Sequence, residues 1–225
     1  MDRIVVIGDS HSQLFSNSPN LGRGTWNDLE CDIFDVRWMG PVTYWRLCRD
    51  QLGFIDFNSD ITYSPYPNMN ISTRIDKDVN IFITLGEIDI RCNIHKYGDY
   101  TITIDNMAKQ IDTFVSNFYR DFKIHLCSIV PPINRDKCIS ENKEFPFIGS
   151  DSDRMNSTLY FNNKLYEISK KYNLGYFDIH LLYKNSEGMM DTEKSDYIVH
   201  AKKTEELEKY IKEYVKKINL RRDRA

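Results

Sequence analysis

Three short polar segments of the chain contain the residue types that nucleophilic catalysis requires. The first is Gly-Asp-Ser-His-Ser at residues 8–12, directly after an apolar run. A serine at such a strand-to-helix turn can project its hydroxyl, and nearby backbone N–H groups favour a developing negative charge. Ser10 is therefore a candidate nucleophile. A helix cap is the alternative, because Ser and Asp are preferred N-cap residues.

The second segment, Gly-Glu-Ile-Asp-Ile-Arg at residues 86–91, follows another apolar run. Its three charged side chains have two interpretations. Arg91 could form an internal ion pair with Glu87 or Asp89, or the three groups could line a functional crevice. Spacing alone leaves both open.

The third segment, Asp-Tyr-Ile-Val-His at residues 196–200, precedes the last predicted helix. If the two ends of the chain meet, a neutral His200 could accept the Ser10 proton and Asp196 could fix its tautomer. An isolated histidine at such a place is more often structural, so the combination of the three segments carries the hypothesis.

The elements that must position these segments follow from hydrophobic patterning. Compact apolar runs predict five strands, at residues 3–7, 32–38, 79–85, 123–130 and 175–179. Near-continuous Val, Ile and Leu runs are typical of parallel strands buried on both faces. Helical periodicity predicts helices at 41–52, 105–121, 152–173 and 205–219, with Asp105 and Thr204 as caps.

Alternation of strands and helices predicts a three-layer α/β/α sandwich. The carboxyl ends of its strands, and hence the site, lie along one edge of the sheet. Two stretches rich in loop residues, 53–78 and 132–151, could be lids over that edge or disordered insertions.

Composition narrows the class of protein. The chain of 225 residues is 41% hydrophobic with a net charge of −3, which argues for a globular domain and against a nucleic-acid partner. No apolar run approaches the roughly 18 residues of a membrane span, and no signal peptide is evident, so we expect a cytoplasmic protein. We predict one domain at 1–220 and a basic tail at 221–225.

Several kinds of site are not expected. The five cysteines include no C-x-x-C pair, which argues against a disulfide framework or a structural zinc site. The phosphate-binding glycine motifs of nucleotide sites are missing as well. We therefore expect neither a metal nor a cofactor.

The polar segments, together with Gly40 after the second predicted strand, resemble the SGNH, or GDSL-like, hydrolase superfamily. The blocks occur in the order of that superfamily and span residues 4–200. The resemblance implies a flavodoxin-like fold with a five-stranded parallel sheet. It also implies a serine hydrolase without a metal, acting on esters of lipids, carbohydrates or other small acyl compounds.

Residue by residue, the resemblance implies that Ser10 is the nucleophile, His200 the base and Asp196 the residue that orients it. It also implies that the N–H groups of Gly40 and Ser10 form the oxyanion hole. Candidates for contact with substrate are Asp9, His11, Glu87 and Asp89.

The sequence departs from the superfamily pattern twice. Ile88 stands where the superfamily has an asparagine whose side chain is the third oxyanion donor, and we consider Arg91 as a replacement. Three residues rather than two separate Asp196 from His200, so Asp191 is an alternative orienting residue.

We therefore predict a serine-dependent esterase or deacylase, with an acylated carbohydrate or a small acyl ester as substrate. Acyl transfer to a sugar hydroxyl would use the same residues with water excluded. A glycan- or protein-binding module without catalysis is the alternative from another class. The sequence does not fix the acyl group, the alcohol or the oligomeric state.

Overall fold

The computed structural model describes residues 4–15, 25–27, 34–38, 40–49 and 79–222; for 25–27, 35, 37, 38 and 219–222 it describes the backbone alone. A six-stranded sheet has the order β2-β3-β1-β4-β5-β6. Its strands are β1 (Ile4–Gly8), β2 (Thr25–Asn27), β3 (Phe34–Trp38), β4 (Asn80–Thr84), β5 (Lys123–Cys127) and β6 (Gly175–Phe177).

Five of the six strands are parallel, and they have the flavodoxin-like arrangement that the resemblance implies. The sixth strand, β2, adds an antiparallel edge next to β3. Strand β2 was not predicted, since three residues are too few to show a strand period.

The central strands are buried on both faces because two separate apolar clusters cover them. Val5 and Ile7 of β1 pack into one cluster, while Ile4 and Val6 pack into the other. Helices α1 (Tyr44–Arg49), α2 (Tyr100–Phe118) and α3 (Asp151–Lys171) contribute to the first cluster, and α5 (Glu205–Arg222) contributes to the second. The predicted three-layer sandwich is confirmed.

The ends of the helices are set by capping side chains. Thr204 Oγ1 accepts the Leu207 N–H at the start of α5, as predicted. The predicted cap of α2 was wrong, because Asp99 accepts the Thr101 N–H and the helix begins at Tyr100, five residues earlier. Asp105 instead lies inside α2, where its carboxylate contacts Lys164 and Tyr160 of α3.

The carboxyl ends of β1 and β4 approach each other closely. The Asp9 N–H donates to the Thr84 carbonyl at 3.2 Å. A Cβ at position 8 would overlap both the side chain and the carbonyl of Thr84, so only glycine fits there. The chain turn that carries Ser10 is therefore held against the end of the neighbouring strand.

The two predicted loops have different outcomes. Residues 53–78 lie outside the described residues. Residues 132–150 form an ordered connection with a short turn at Arg135–Lys137, and it ends at Ser150, which caps α3 in a capping box with Asp153. A short helix, α4 (His180–Tyr183), follows β6.

The predicted domain boundary needs one correction. Helix α5 runs to Arg222, so the tail predicted from residue 221 begins inside a helix. In the described part of the chain, no helix has an apolar stretch of the length that crossing a bilayer requires.

Candidate active site

The turn after β1, residues 8–12, is organised by the side chain of Asp9. Its Oδ1 accepts the His11 backbone N–H at 2.9 Å and lies 3.3 Å from His11 Nδ1. The Asp9 carbonyl accepts both the N–H and the hydroxyl of Ser12. A turn of 3-10 helix then runs from Ser10 to Phe15. Asp9 thus fills the capping role that the sequence analysis considered for Ser10, and Ser10 itself is partly exposed.

The loop of residues 196–200 closes on its own aspartate. Asp196 Oδ1 accepts the N–H groups of Ile198, Val199 and His200, while Oδ2 lies 2.7 Å from His200 Nδ1. Burial by itself raises the pKa of Asp196, but the His200 ring and these N–H donors outweigh burial and lower it.

The extra residue in this loop is accommodated by backbone geometry. Tyr197 has a φ of 61°, in the left-handed region that few residues other than glycine adopt. This conformation turns the chain sharply enough for the Asp196 N–H to donate to the His200 carbonyl at 3.0 Å. Asp196 can therefore reach His200 despite the longer spacing. Asp191, the alternative orienting residue, instead accepts the Glu193 N–H as a cap.

The two ends of the chain meet at these two segments. The rings of His11 and His200 are 5.7 Å apart between centroids, with a tilt of 53°. His11 directly follows Ser10, so the turn that carries the candidate nucleophile lies beside the loop that carries the candidate base. Their separation in sequence is about 190 residues, and only the fold brings them together.

The third polar segment contains an ion pair. Arg91 Nε lies 2.5 Å from Glu87 Oε1, and a second guanidinium nitrogen donates to Glu87 Oε2 at 3.0 Å. The remaining nitrogen donates to the Phe145 carbonyl. These contacts use three of the five guanidinium N–H groups, so they establish the internal ion pair with Glu87, while donation by Arg91 to an oxyanion stays a prediction. Ile88 is buried in the same turn and supplies no side-chain donor.

Asp89 has a structural position rather than a substrate-facing one. It is 1% exposed, and its Oδ2 accepts the Tyr44 N–H at 2.8 Å at the start of α1. Burial raises the pKa of Asp89 to about 7, although N–H donors from Tyr44 and Trp45 oppose the rise. This contact fixes the start of α1, directly after the buried Gly40, which has a φ of 75°.

Three of the four residues predicted to contact substrate are buried. Asp9, His11 and Asp89 are all at least 95% buried and contact other protein groups, which favours a supporting role for them. Glu87 is slightly more exposed, but its carboxylate is committed to Arg91. The four residues do lie together around the site, as supports for the chain segments that form it.

One supporting contact was missed by the sequence analysis. Phe147, in the 132–150 connection, packs against two guanidinium groups, with its ring centroid 4.5 Å from Arg154 Cζ and 5.7 Å from Arg91 Cζ. The Ile148 N–H also donates to the Arg91 carbonyl at 2.8 Å. An aromatic residue within a long polar loop was the available signal, but its partners are far away in sequence.

Across the ranges that the structure describes, no three His, Cys, Asp or Glu side chains converge as metal ligands would. His95 contacts Ser157 Oγ at 3.0 Å, away from the two segments that meet. His125 contacts Asn80 and Tyr214.

Comparisons with known proteins relate this geometry to one fold. Neither a protein-family model nor a curated protein sequence matches the chain. A GDSL-like lipase from Bacteroides thetaiotaomicron superposes with a TM-score of 0.61 at 12% identity, over 96% of this chain and 87% of its own.

Two further solved structures have the same fold. A protein of the G-D-S-L family from Desulfitobacterium hafniense has a TM-score of 0.53 at 12% identity, over 97% of this chain and 99% of its own. The OSK domain of Drosophila Oskar has a TM-score of 0.52 at 10% identity, over 94% and 86%. The resemblance drawn from the sequence blocks is thus confirmed at the level of structure: this chain has the fold of the SGNH, or GDSL-like, hydrolases.

Proposed function

We propose that the protein is a serine-dependent ester hydrolase, an esterase or deacylase acting on acylated carbohydrates or other small acyl esters. One observation carries the proposal. Asp196 holds His200 Nδ1 at 2.7 Å, in a loop whose histidine ring contacts the residue next to Ser10. The pair of Asp196 and His200 thus lies beside the turn that carries Ser10, which supports a triad of these three residues.

The proposed reaction assigns one role to each group. With Nδ1 bound to Asp196, Nε2 is the ring nitrogen of His200 that can accept the Ser10 proton. Ser10 Oγ attacks the acyl carbon, and the protonated His200 then gives its proton to the leaving alcohol. In the second half of the reaction, His200 accepts a proton from water, which attacks the acyl carbon. The protonated His200 then returns that proton to Ser10 Oγ as the carboxylic acid leaves.

The N–H groups of Ser10 and Gly40 are the proposed oxyanion donors, each worth about 2.7–4 kcal/mol in comparable enzymes. The contact between Asp89 and Tyr44 supports the Gly40 assignment, because it fixes the helix that follows this glycine. With Ile88 in the third position, the hole has one donor fewer, and we expect a lower turnover than in a site with three.

Two half-exposed aromatic side chains support a carbohydrate substrate. Tyr197 is 41% exposed within the histidine loop, and Trp45 is 48% exposed next to the residue that Asp89 contacts. Sugars stack on such aromatic faces. We expect Trp45→Ala and Tyr197→Asn to raise KM for an acetylated sugar and to leave KM for p-nitrophenyl acetate unchanged. Asn is chosen because it tolerates the left-handed backbone.

The decisive experiment measures hydrolysis of p-nitrophenyl acetate and of acetylated sugars by the wild type and by Ser10→Ala and His200→Ala. We expect both variants to melt as cooperatively as the wild type and to lose hydrolysis. Activity that persists in folded Ser10→Ala would overturn the assignment of the nucleophile. Product analysis with a sugar acceptor distinguishes hydrolysis from acyl transfer.

The apolar Ile88 favours a second candidate, a binding module without catalysis. The two candidates differ in the reactivity of Ser10. An activated serine reacts with a fluorophosphonate probe, whereas a serine in a binding module does not. Absence of labelling in the folded protein, together with retained glycan binding, would favour the second candidate.

A further inference from the structure

The site contains a second carboxylate–imidazole pair that the proposed reaction does not use. His11 is 5% exposed, and its Nδ1 lies 3.3 Å from Asp9 Oδ1. Its other ring nitrogen, Nε2, is buried and makes no hydrogen bond within the described residues. An imidazole buried this deeply would ordinarily be neutral and fully hydrogen-bonded, so its position needs a reason.

The groups around His11 favour a protonated ring. Burial alone lowers the pKa of His11, but the Asp9 carboxylate and the charge of Glu87 outweigh burial and raise it. The His200 ring is 5.7 Å away and has its own carboxylate in Asp196. The charged groups near the two rings also include Arg91, which is paired with Glu87 and interacts with Asp9.

We propose that His11 is a positioning residue for His200: its buried ring, held by Asp9, packs beside the His200 ring and fixes the loop that carries the proposed base. This inference deepens the proposed function and rests on it. Position matters because a base that is out of reach of Ser10 cannot accept its proton.

The support is mechanical. The histidine loop closes mainly on Asp196, and the buried His11 ring fills the space beside it.

Two variants separate the ring from the hydrogen bond. His11→Phe keeps an aromatic ring beside His200 but removes the charge and the bond to Asp9. His11→Asn keeps an N–H for Asp9 but removes the ring and the charge. His95→Gln is the matched control, because His95 is a histidine whose contact is with Ser157 rather than with His200.

In kinetics, we expect both His11 variants to lower kcat for p-nitrophenyl acetate about tenfold, with little change in KM. His95→Gln should change neither kcat nor KM. A wild-type kcat in folded His11→Phe would overturn the proposal.

Histidine NMR tests the same inference without using activity. In the wild type we expect the His11 ring to stay protonated above pH 6.5. Replacing His11 should shift the ring signals of His200 more than those of His95, His125 or His180. If the wild type neither hydrolyses esters nor reacts with a fluorophosphonate probe at Ser10, the proposed function fails. The NMR signals still test whether the His11 ring supports the His200 ring. A His11 ring that is neutral at pH 6.5 overturns the charge that we assign to it.

Discussion

Two regions of the molecule contain the same pair of side chains in different surroundings. In the turn after β1, Asp9 and His11 are two residues apart and their side chains are 2% and 7% exposed. In the histidine loop, Asp196 and His200 are four residues apart and their side chains are 32% and 29% exposed. The second pair is accessible to a substrate, whereas the first is sealed inside the protein.

The difference shows how burial assigns roles to identical chemistry. A half-exposed imidazole can exchange a proton with a bound molecule, which a general base must do. A buried imidazole beside a carboxylate has no such access, so it can support the groups around it but cannot act as the base. The proposed base and its proposed support can therefore be distinguished by substitutions in each pair.

The largest expected effect is in the exposed pair. Asp196→Ala removes the group that holds His200 Nδ1 and the acceptor of three backbone N–H groups. We expect kcat to fall by about 10⁴-fold, as in other triads that lose the orienting carboxylate. Steady-state hydrolysis measures this loss. A fall of less than tenfold in the folded variant would show that Asp196 does not orient the base.

The next effect is on stability, in the buried pair. Asp9→Ala leaves the buried His11 without its carboxylate, and we expect a loss of about 3–5 kcal/mol in the free energy of unfolding. Urea denaturation measures it. Asp112→Ala, which breaks the exposed ion pair with Lys171, is the control and should cost about 1 kcal/mol or less.

The same pair predicts a direction of pH dependence. The folded-state pKa of His11 is raised above its ordinary value of 6.5. The pair therefore contributes stability that is fully present below pH 6.5 and is lost as the pH rises through the folded value. The difference in the free energy of unfolding between wild type and His11→Phe should shrink as the pH rises from 6.5 through the folded-state pKa of His11. A difference independent of pH would contradict the charged pair.

Asp89 is a buried carboxylate whose described partner is a backbone N–H rather than an imidazole. It therefore shows what burial does to a carboxylate outside the two Asp–His pairs. Its folded-state pKa of about 7 lies above the ordinary 3.8, so the folded protein retains a proton that the unfolded chain loses. Wild-type stability should therefore fall between about pH 4 and 7, by on the order of 3–4 kcal/mol. Asp89→Asn should lack this fall, as urea denaturation at several pH values would show.

The smallest effect is expected at Asp191, the carboxylate that caps a turn near the histidine loop. Asp191→Ala removes the acceptor of the Glu193 N–H, which should cost about 1 kcal/mol. Hydrolysis should stay at the wild-type rate, in contrast to Asp196→Ala. Loss of hydrolysis in folded Asp191→Ala would show that Asp191, rather than Asp196, orients His200.

Much of the fold could be predicted from local patterns. Each of the five parallel strands coincides with a predicted run. The central strands β1 and β4 are buried at every position because both of their faces are covered, whereas β3 alternates apolar and charged residues. Element ends were less accurate. Helix α2 begins at Tyr100 because Asp99 caps it, and the polar residues at its start hide the helical period.

The site could be predicted in its membership but not in its arrangement. Ser10, Asp196 and His200 were recognisable as types at characteristic places. By contrast, Asp9, Glu87, Asp89 and Arg91 are charged residues next to strands, and their burial and partners depend on neighbours that are distant in sequence. The ion pair of Arg91 with Glu87 was one of two interpretations until the structure supplied the Phe145 carbonyl.

The sequence by itself determined the layered architecture and the order of the polar blocks, because periodicity and strand ends are local properties. Tertiary structure alone decided that residues 11 and 200 are in ring contact, and that one Asp–His pair is buried while the other is accessible. The physical reason is that burial and charge pairing depend on groups from both ends of the chain, which come together only when the sheet forms.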